Sequence, residues 1–343
     1  MKKKATTGTS RNGAGESRIV LPPIADLTET LAGWQTVSAA LGYDGKAYVL
    51  LIESVPEREQ GMFPQTELKN RIAYKALIVD PVVPTPYDQP ENPSDQVLGE
   101  KVRIEEIAIE GESFHYHFLQ PLGDELLLVG SRSRYYGRDH YDLNAAVFGR
   151  DGSVRRRFLV GDGIQNVQTT AGGLIWTSFF DEGVFGNNGW GRPVGESGLI
   201  AWDAEGIRVF TNSEANIADC YALNVVSDEE VWFYYYTDFK LCRLSGPAAL
   251  PSVSFLDPKI AGSSIFATDG RRFLMDNGYQ DRGRYVLLRT DDRGGLAQDR
   301  MIMPIREEGE FGAGLRDARG DTLLLFEGGK LYRTTLSELA EAE

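Results

Sequence analysis

Cysteine and histidine are scarce in this chain, and no uninterrupted apolar run is long enough to span a bilayer. Its 343 residues include two cysteines, Cys220 and Cys242, and three histidines. Two cysteines give no disulfide framework, so the simplest compartment is a reducing one and we predict a cytoplasmic protein. Residues 1–15 begin with three lysines but have no apolar core behind them. We therefore predict a disordered arm there rather than a secretory signal.

The chain also lacks an excess of basic residues. It carries 36 Lys and Arg against 50 Asp and Glu, a formal net charge of −14. Nucleic acids and anionic membranes both require a basic face, so both are disfavoured as partners. The apolar fraction of 42% and charged fraction of 25% are ordinary for a soluble globular protein. An acidic chain of this kind permits metal ions or cationic ligands, although most acidic surfaces are only solvated.

A tight polar turn followed by a short apolar run recurs six times. The apolar runs cover residues 47–52, 126–129, 174–180, 231–236, 273–275 and 322–326. A period of this size in β-rich units is typical of solenoids, propellers and arrays. Strand and turn signals alternate throughout, and no segment keeps a helical period for long.

We interpret each repeat as four strands with the apolar run as the second, which predicts an all-β, six-bladed β-propeller. The units start near residues 33, 114, 164, 218, 260 and 312. The sixth unit has only three strands, so we predict that the N-terminal strand Ser17 to Leu21 closes the ring beside Lys330 to Thr335. This divides the chain into an arm (1–15), one propeller domain (16–337) and an acidic tail (338–343). The alternative is a seven-bladed ring with an irregular blade hidden in residues 56–102.

The hairpins in residues 147–163 and 200–210 resemble the outer hairpins of six-bladed propellers of the NHL-repeat and gluconolactonase-like groups. The resemblance implies the fold and extends over short turn segments. The chain has no Gly-His…Trp-Asp pair of the WD40 type and no sialidase box.

Long loops between second and third strands are predicted to share one face of the ring, at residues 55–70, 132–142, 181–198 and 276–284. Binding residues concentrate on long loops held by a rigid scaffold. The most specific local signal is the glycine-rich loop 181–193. Its candidate ligand-binding residues are Glu182, Asn187, Asn188, Trp190 and Arg192, which offer oxygen ligands, a stacking ring and a cation. The alternative is a long hairpin loop whose glycines and asparagines serve only its turns, with Trp190 packed on a neighbouring blade.

The loop 132–142 combines tyrosines and arginines, a composition enriched at binding hot spots. Arg134, Tyr136 and His140 are its candidate ligand-binding residues. The remaining histidines, His115 and His117, alternate at the predicted start of blade two's inner strand and therefore point the same way. They are candidate catalytic acid–base groups, or metal ligands. The alternative is a hydrogen-bonded pair of core or channel histidines.

Acidic residues are predicted to converge at the channel mouth from several blades. They are Glu53, Asp181, Asp219, Asp238 and Asp276, placed at strand ends. Converging carboxylates repel one another unless a counter-charge lies among them, so a divalent cation is the cofactor they would take. The alternative is that these are ordinary turn and strand-end acids.

The sequence leaves two function classes and names no substrate. The first is a binding propeller that holds a protein, a peptide or a small polar ligand on its long-looped face. The second is a metal-assisted hydrolase, lyase or isomerase at the channel mouth. No nucleophile elbow, P-loop or dinucleotide fingerprint is present, which favours binding and leaves enzymatic activity uncertain.

Overall fold

The computed structural model describes residues 16–56, 67–81 and 102–341, which form a ring of six mainly antiparallel sheets. Each innermost strand contacts the innermost strand of the next sheet, and the sixth contacts the first. The prediction of an all-β, six-bladed propeller is confirmed.

The chain begins with a pair of strands that precedes the first blade. These are β1 (Glu16–Val20) and β2 (Pro23–Asp26), and blade one follows with β3 (Gln35–Leu41), β4 (Ala47–Ile52), β5 (Glu67–Pro81) and β6 (Val102–Phe114). Blade two has β7 (Phe118–Leu122), β8 (Glu125–Val129), a small hairpin of β9 (Tyr135–Gly137) and β10 (His140–Tyr141), then β11 (Ala145–Phe148) and β12 (Val154–Phe158). Blade three has β13 (Ile164–Thr169), β14 (Ile175–Phe179), helix α1 (Asp181–Phe185), β15 (Leu199–Trp202) and β16 (Arg208–Thr211).

Blade four has β17 (Asp219–Val225), β18 (Glu230–Tyr236), β19 (Lys240–Ser245) and β20 (Ser252–Leu256). Blade five has β21 (Phe266–Thr268), β22 (Arg272–Asn277), β23 (Asp281–Thr290), β24 (Leu296–Arg306) and the short β25 (Gly309–Glu310). Blade six has β26 (Leu315–Arg319), β27 (Thr322–Glu327) and β28 (Lys330–Thr335), followed by helix α2 (Leu336–Glu341).

The six apolar runs contribute the second strands of the six blades. β4 is buried along its whole length, and β8, β14 and β27 are buried at all or nearly all positions. A continuous apolar run suits a strand that packs against neighbouring blades on both faces, because neither face is left to water. Each apolar run in the sequence therefore marks the second strand of a blade.

The predicted pairing of Ser17 to Leu21 with the last strand is wrong. β1 instead pairs in parallel with β24, placing Arg18 opposite Met303 as an extra outer strand of blade five. The next strand, β2, pairs antiparallel with β28 and supplies the fourth strand of blade six. Proline has no backbone N–H to donate, so Pro23 is tolerated at the first position of this edge strand.

Two further expectations about strands and loops are corrected. The predicted long loop 276–284 is a turn of three residues, because β22 continues to Asn277 and β23 begins at Asp281. His115 and His117 lie in the connection between β6 and β7 rather than in the inner strand of blade two. The structure describes the predicted loop 55–70 only at its ends, and most of the segment assigned to a seventh blade lies outside the described residues.

Buried polar side chains link the blades at the end of the channel opposite the long loops. Gln168 Nε2 donates to the carbonyl of Ala318 at 3.0 Å, and its Oε1 accepts from the backbone N–H of Val225 at 2.7 Å. Asn224 Nδ2 donates to the carbonyl of Gly320 at 3.0 Å. These hydrogen bonds join blades three, four and six across the channel, so this end is a packed polar core.

Helix α2 includes residues 338–341 of the predicted acidic tail. Leu336 and Leu339 are buried in the core of blades five and six. Glu338 accepts a hydrogen bond from the backbone N–H of Thr335 at 2.7 Å, and the Thr335 hydroxyl accepts one from Glu338 N–H at 3.3 Å. This reciprocal pair is a capping box, which favours helix initiation at this point. Neither helix in the described part of the chain is long and apolar enough to cross a membrane.

Candidate functional site

Two long loops from neighbouring blades lie on the same face of the ring and contact each other. They are the loop between β8 and β11, which contains the hairpin β9–β10, and the loop between β14 and β15, which begins with α1. The Asn188 carbonyl accepts a hydrogen bond from Tyr135 N–H at 2.9 Å. The structure therefore brings together the two loops that carry all eight candidate ligand-binding residues.

The hairpin turns sharply at its tip and presents two different faces. Arg138 and Asp139 both have positive φ angles, 52° and 59°, as in the turns favoured by two-residue hairpins. On the inner face the rings of Tyr135 and Tyr141 pack on Trp190, with centroids 5.0 and 5.9 Å away. Trp190 is partly buried beneath the hairpin and acts as its support.

A close approach of the two backbones explains one of the loop glycines. Gly189 has a φ of 86°, and a Cβ atom built there would lie 2.2 Å from the Tyr135 carbonyl oxygen. Only glycine adopts this conformation while leaving room for the partner loop.

A buried ion-pair network fixes the base of the two loops. Arg132 Nε and Nη2 donate to the two carboxylate oxygens of Asp162 at 2.9 and 3.0 Å, and its Nη1 lies 2.6 Å from Glu182 Oε2. Asp162 also accepts from Ser133 N–H at 2.8 Å and from Asn188 Nδ2 at 3.1 Å. Burial alone would lower the pKa of Arg132, but Asp162 and Glu182 outweigh it and raise that pKa. The guanidinium therefore stays charged, and Glu182 and Asn188 are held in structural contacts.

The outer face of the hairpin carries three of the candidate residues in a stack. The Arg134 guanidinium lies 5.5 Å from the Tyr136 ring centroid, and the Tyr136 and His140 rings lie 4.9 Å apart. Tyr136 is 47% exposed, and Arg134 and His140 are also exposed. A cation beside a ring face is attracted by the ring quadrupole, which orders the stack without burying it.

Asn187 and Arg192 are exposed on the loop between β14 and β15, which contacts the hairpin. We call the hairpin β9–β10 together with this loop the platform. Asn187 Oδ1 accepts from Asn188 N–H at 2.6 Å. Within the described ranges, Arg134, Arg138 and Arg192 make no ion pair, in contrast to Arg132. Three arginines without a carboxylate partner in the described part of the chain thus lie on these two contacting loops, in a protein of net charge −14.

His115 and His117 come together as the sequence indicates, with ring centroids 4.2 Å apart. His117 Nδ1 accepts a hydrogen bond from Ser131 N–H at 3.1 Å, so a neutral ring carries its proton on Nε2. Burial lowers the pKa of His115 to about 4 and that of His117 to about 3, the latter with a further contribution from His115. Both rings are neutral near pH 7. His140 belongs to the hairpin stack, not to this pair.

Two of the five candidate metal ligands, Asp219 and Asp181, lie near each other. Burial, with a further contribution from Asp181, raises the pKa of Asp219 to about 7. Asp219 Oδ1 is buried and has no hydrogen-bond partner among the described residues. Asp181 is exposed in the first turn of α1.

The other three candidate ligands lie in different surroundings. Asp276 is fully buried, accepts two hydrogen bonds from Ser264 at 3.0 and 2.8 Å, and lies 3.4 Å from Arg316. Asp238 is exposed and lies 3.9 Å from Lys240 Nζ, and Glu53 is exposed. No three histidine, cysteine or acidic side chains in the described segments are placed to hold one metal ion.

Sequence reasoning missed Asp162 and Ser133, which organise the two loops. Asp162 lies between two glycines, Gly161 and Gly163, and that pattern is typical of an ordinary turn. The signal that could have identified it is chemical: Arg132 is a buried cation and requires a carboxylate partner.

No family model matches this chain, and none of the curated proteins does. Several solved propellers are similar to it. The β-propeller domain of Cps50 (Swd1) from Myceliophteria thermophila is 10% identical, with a TM-score of 0.46 over 88% of this chain and 84% of that one. A Xanthomonas campestris gluconolactonase, XC5397, is 10% identical, with a TM-score of 0.43 over 94% and 98%. Virginiamycin B lyase from Staphylococcus aureus with quinupristin is 9% identical, with a TM-score of 0.42 over 89% and 96%. At these values the similarities carry no argument about ligand, partner or activity.

Proposed function

We propose that this protein is a binding propeller whose long-looped face holds a protein or peptide partner on the hairpin β9–β10. The observation that carries the proposal is the stack of Arg134, Tyr136 and His140, exposed on top of a hairpin that Trp190 supports from below. Tyrosine, tryptophan and arginine are the residue types enriched at the energetic centres of protein interfaces.

The ion-pair network beneath the two loops supports this function because it lowers the free-energy cost of ordering the loops on binding. Arg132, Asp162 and Asn188 fix the two loops through several hydrogen bonds before any partner arrives. Ordering a loop on binding costs free energy, so a loop that is already ordered binds more tightly for the same contacts.

The charge of the platform indicates the chemistry of the partner. Arg134, Arg138 and Arg192 have no carboxylate partner within the described ranges, and guanidinium groups pair favourably with carboxylates. The partner segment is therefore one that presents aspartate or glutamate side chains beside an apolar group that contacts Tyr136. A long polyanion such as nucleic acid is disfavoured, because the rest of the protein carries excess negative charge.

Selection of peptides from a displayed random library tests the proposal. Peptides selected on the native protein should be enriched in Asp and Glu, and a variant combining R134Q and Y136A should no longer retain them. The matched control combines R155Q and Y43A, which changes an exposed arginine and a tyrosine on the opposite face. Peptides that bind both variants equally, or a failure to select any acidic peptide, would contradict the proposal.

A specific observation also favours a second candidate function, a divalent cation bound at the channel mouth in a metal-assisted reaction. Asp219 has a buried carboxylate oxygen without a partner among the described residues, and Asp181 lies close enough to raise its pKa. A divalent cation would supply the missing counter-charge and could activate water. Calorimetric titration with calcium, magnesium, manganese and zinc tests this candidate. Heat of binding that the D219N variant abolishes supports it, and the absence of heat for all four ions would refute it.

A further inference from the structure

A cavity of about 700 Å³ opens between blades five and six, away from the two-loop platform. It lies where β23 begins, where β24 ends and where the connection to β26 passes between them. Cavities of roughly 300–1,000 Å³ are the usual size for small organic ligands.

One wall of the cavity is apolar and is held in place by packing. Met303, Pro304, Phe311 and Leu315 contribute to it. The Phe311 ring packs edge-on against Tyr332, with centroids 4.9 Å apart. This contact anchors the connection between the two blades to the core, so the cavity does not depend on a ligand for its shape.

Arg316 brings a cation to the cavity and is fixed from behind. Its Nη1 donates to the Arg282 carbonyl at 2.6 Å, and its Nη2 lies 3.4 Å from the buried carboxylate of Asp276. Asp276 is in turn held by both hydrogen-bonding groups of Ser264. Its pairing with Arg316 links blades five and six and leaves little freedom in the guanidinium position.

Tyr285 contributes to the lining of the cavity without offering its hydroxyl to a ligand. It is 2% exposed, and its hydroxyl oxygen has no surface that a water-sized group could touch. Burial raises the pKa of Tyr285, and the Arg316 guanidinium beside the hydroxyl lowers it in part. The polar group that a ligand meets in this cavity therefore has to come from another residue.

The acids that line the cavity already have partners. Asp281 Oδ2 lies 2.6 Å from Arg284 Nη1, and Glu310 pairs with Arg18 at 2.5 Å. Glu327 accepts from Gly312 N–H at 2.9 Å. In contrast, the Arg282 side chain is exposed at the rim and makes no ion pair within the described ranges. The cation that remains available in this cavity is therefore Arg282.

We propose that this cavity binds a small organic acid with an apolar body. Its carboxylate pairs with Arg282 at the rim, while its body packs on Met303, Phe311 and Leu315. This site is separate from the hairpin platform, and either proposal can fail without the other.

Displacement of a fluorescent probe tests the proposal on the full chain. The anionic dye 1-anilinonaphthalene-8-sulfonate should bind the native protein, and decanoate should displace it while decan-1-ol does so far more weakly. The R282Q variant should weaken decanoate binding about tenfold, the usual effect of losing one hydrogen bond to a charged group. R293Q, at an exposed turn of the same blade, should bind decanoate like the native protein.

The variant A313W fills the cavity and serves as a control for dye that binds elsewhere on the protein. It should abolish the fluorescence that decanoate can displace, while the thermal unfolding midpoint stays close to that of the native protein. Equal displacement by decanoate and decan-1-ol would overturn the carboxylate assignment. Dye binding that is unchanged in A313W, or decanoate binding that R282Q leaves unchanged, would overturn the site.

Discussion

The indole nitrogen of Trp190 donates a hydrogen bond to the backbone carbonyl of Ser133 at 2.7 Å. The two residues lie in loops from neighbouring blades, and their contact places the Trp190 ring under the hairpin β9–β10. Two loops that could each move separately are thereby combined into one surface.

Replacing Trp190 should therefore loosen the hairpin more than the propeller. W190F keeps an aromatic ring but loses the hydrogen bond, and should lower the free energy of unfolding by about 1 kcal/mol. W190A also loses the ring contacts and should cost about 2–3 kcal/mol. Limited proteolysis should cleave W190A within residues 132–142 first. Native-like resistance of that segment would show that Trp190 does not support it.

Removal of the Asp162 charge should be the most damaging single change at the loops. D162N leaves Arg132 buried with Glu182 as its remaining carboxylate and should lower the free energy of unfolding by about 3 kcal/mol, as for other broken buried pairs. The exposed Asp151, which pairs with Arg155, provides the control. D151N should leave urea unfolding nearly unchanged, and an equal effect of both substitutions would contradict the argument.

The raised pKa of Asp219 predicts the direction in which the free energy of unfolding changes with pH. The folded protein holds a proton on this carboxyl up to about pH 7, whereas the unfolded chain loses it near pH 4. The carboxyl of Asp219 therefore makes its full contribution to the stability of the folded state below pH 4, and that contribution is lost as the pH rises through 7. D219N should be more stable than the native protein at pH 8, by on the order of 1 kcal/mol, with little difference at pH 4. Parallel stability curves from pH 4 to 8 would refute the shift.

Two N-terminal truncations should distinguish the roles of the first two strands. Removing residues 1–21 deletes β1, which only adds an outer strand to blade five, together with the buried Leu21. Removing residues 1–26 also deletes β2 and leaves blade six without its fourth strand. The longer truncation should lower the urea midpoint by clearly more than the shorter one, because it exposes β28 as a new edge. Equal midpoints would argue against β2 as an essential strand.

The repeat pattern predicts the fold well, because a strand buried on both faces requires a continuous apolar run wherever it occurs. The predictions are less successful at the chain ends. Pro22 and Pro23 mark a boundary in the sequence, but whether the strand before or after that boundary completes blade six depends on long-range pairing. No local pattern encodes that choice.

The candidate site is predictable to a similar extent. Loop length and composition point to residues 132–142 and 181–193, and the structure brings those loops into contact. A position at a strand end does not predict which acidic side chains lie close together. Asp276 is buried in contacts with Ser264 and Arg316, while Glu53 and Asp238 are exposed elsewhere. Convergence of side chains depends on strand twist and on burial, which spacing along the sequence does not report. Catalytic and metal roles for these acids and for His115 and His117 stay predictions.

The most direct test of the central claim is a double-mutant cycle on the hairpin platform, using the tightest acidic peptide from the library selection. The cycle compares native protein and R134Q with the peptide and its Glu-to-Gln form, with Kd measured by calorimetry. Each single change should weaken binding about tenfold, and the two together should weaken it little further, because both remove the same charged contact. Losses that multiply, or a Kd that R134Q leaves unchanged, would contradict the assignment of this hairpin as the binding surface.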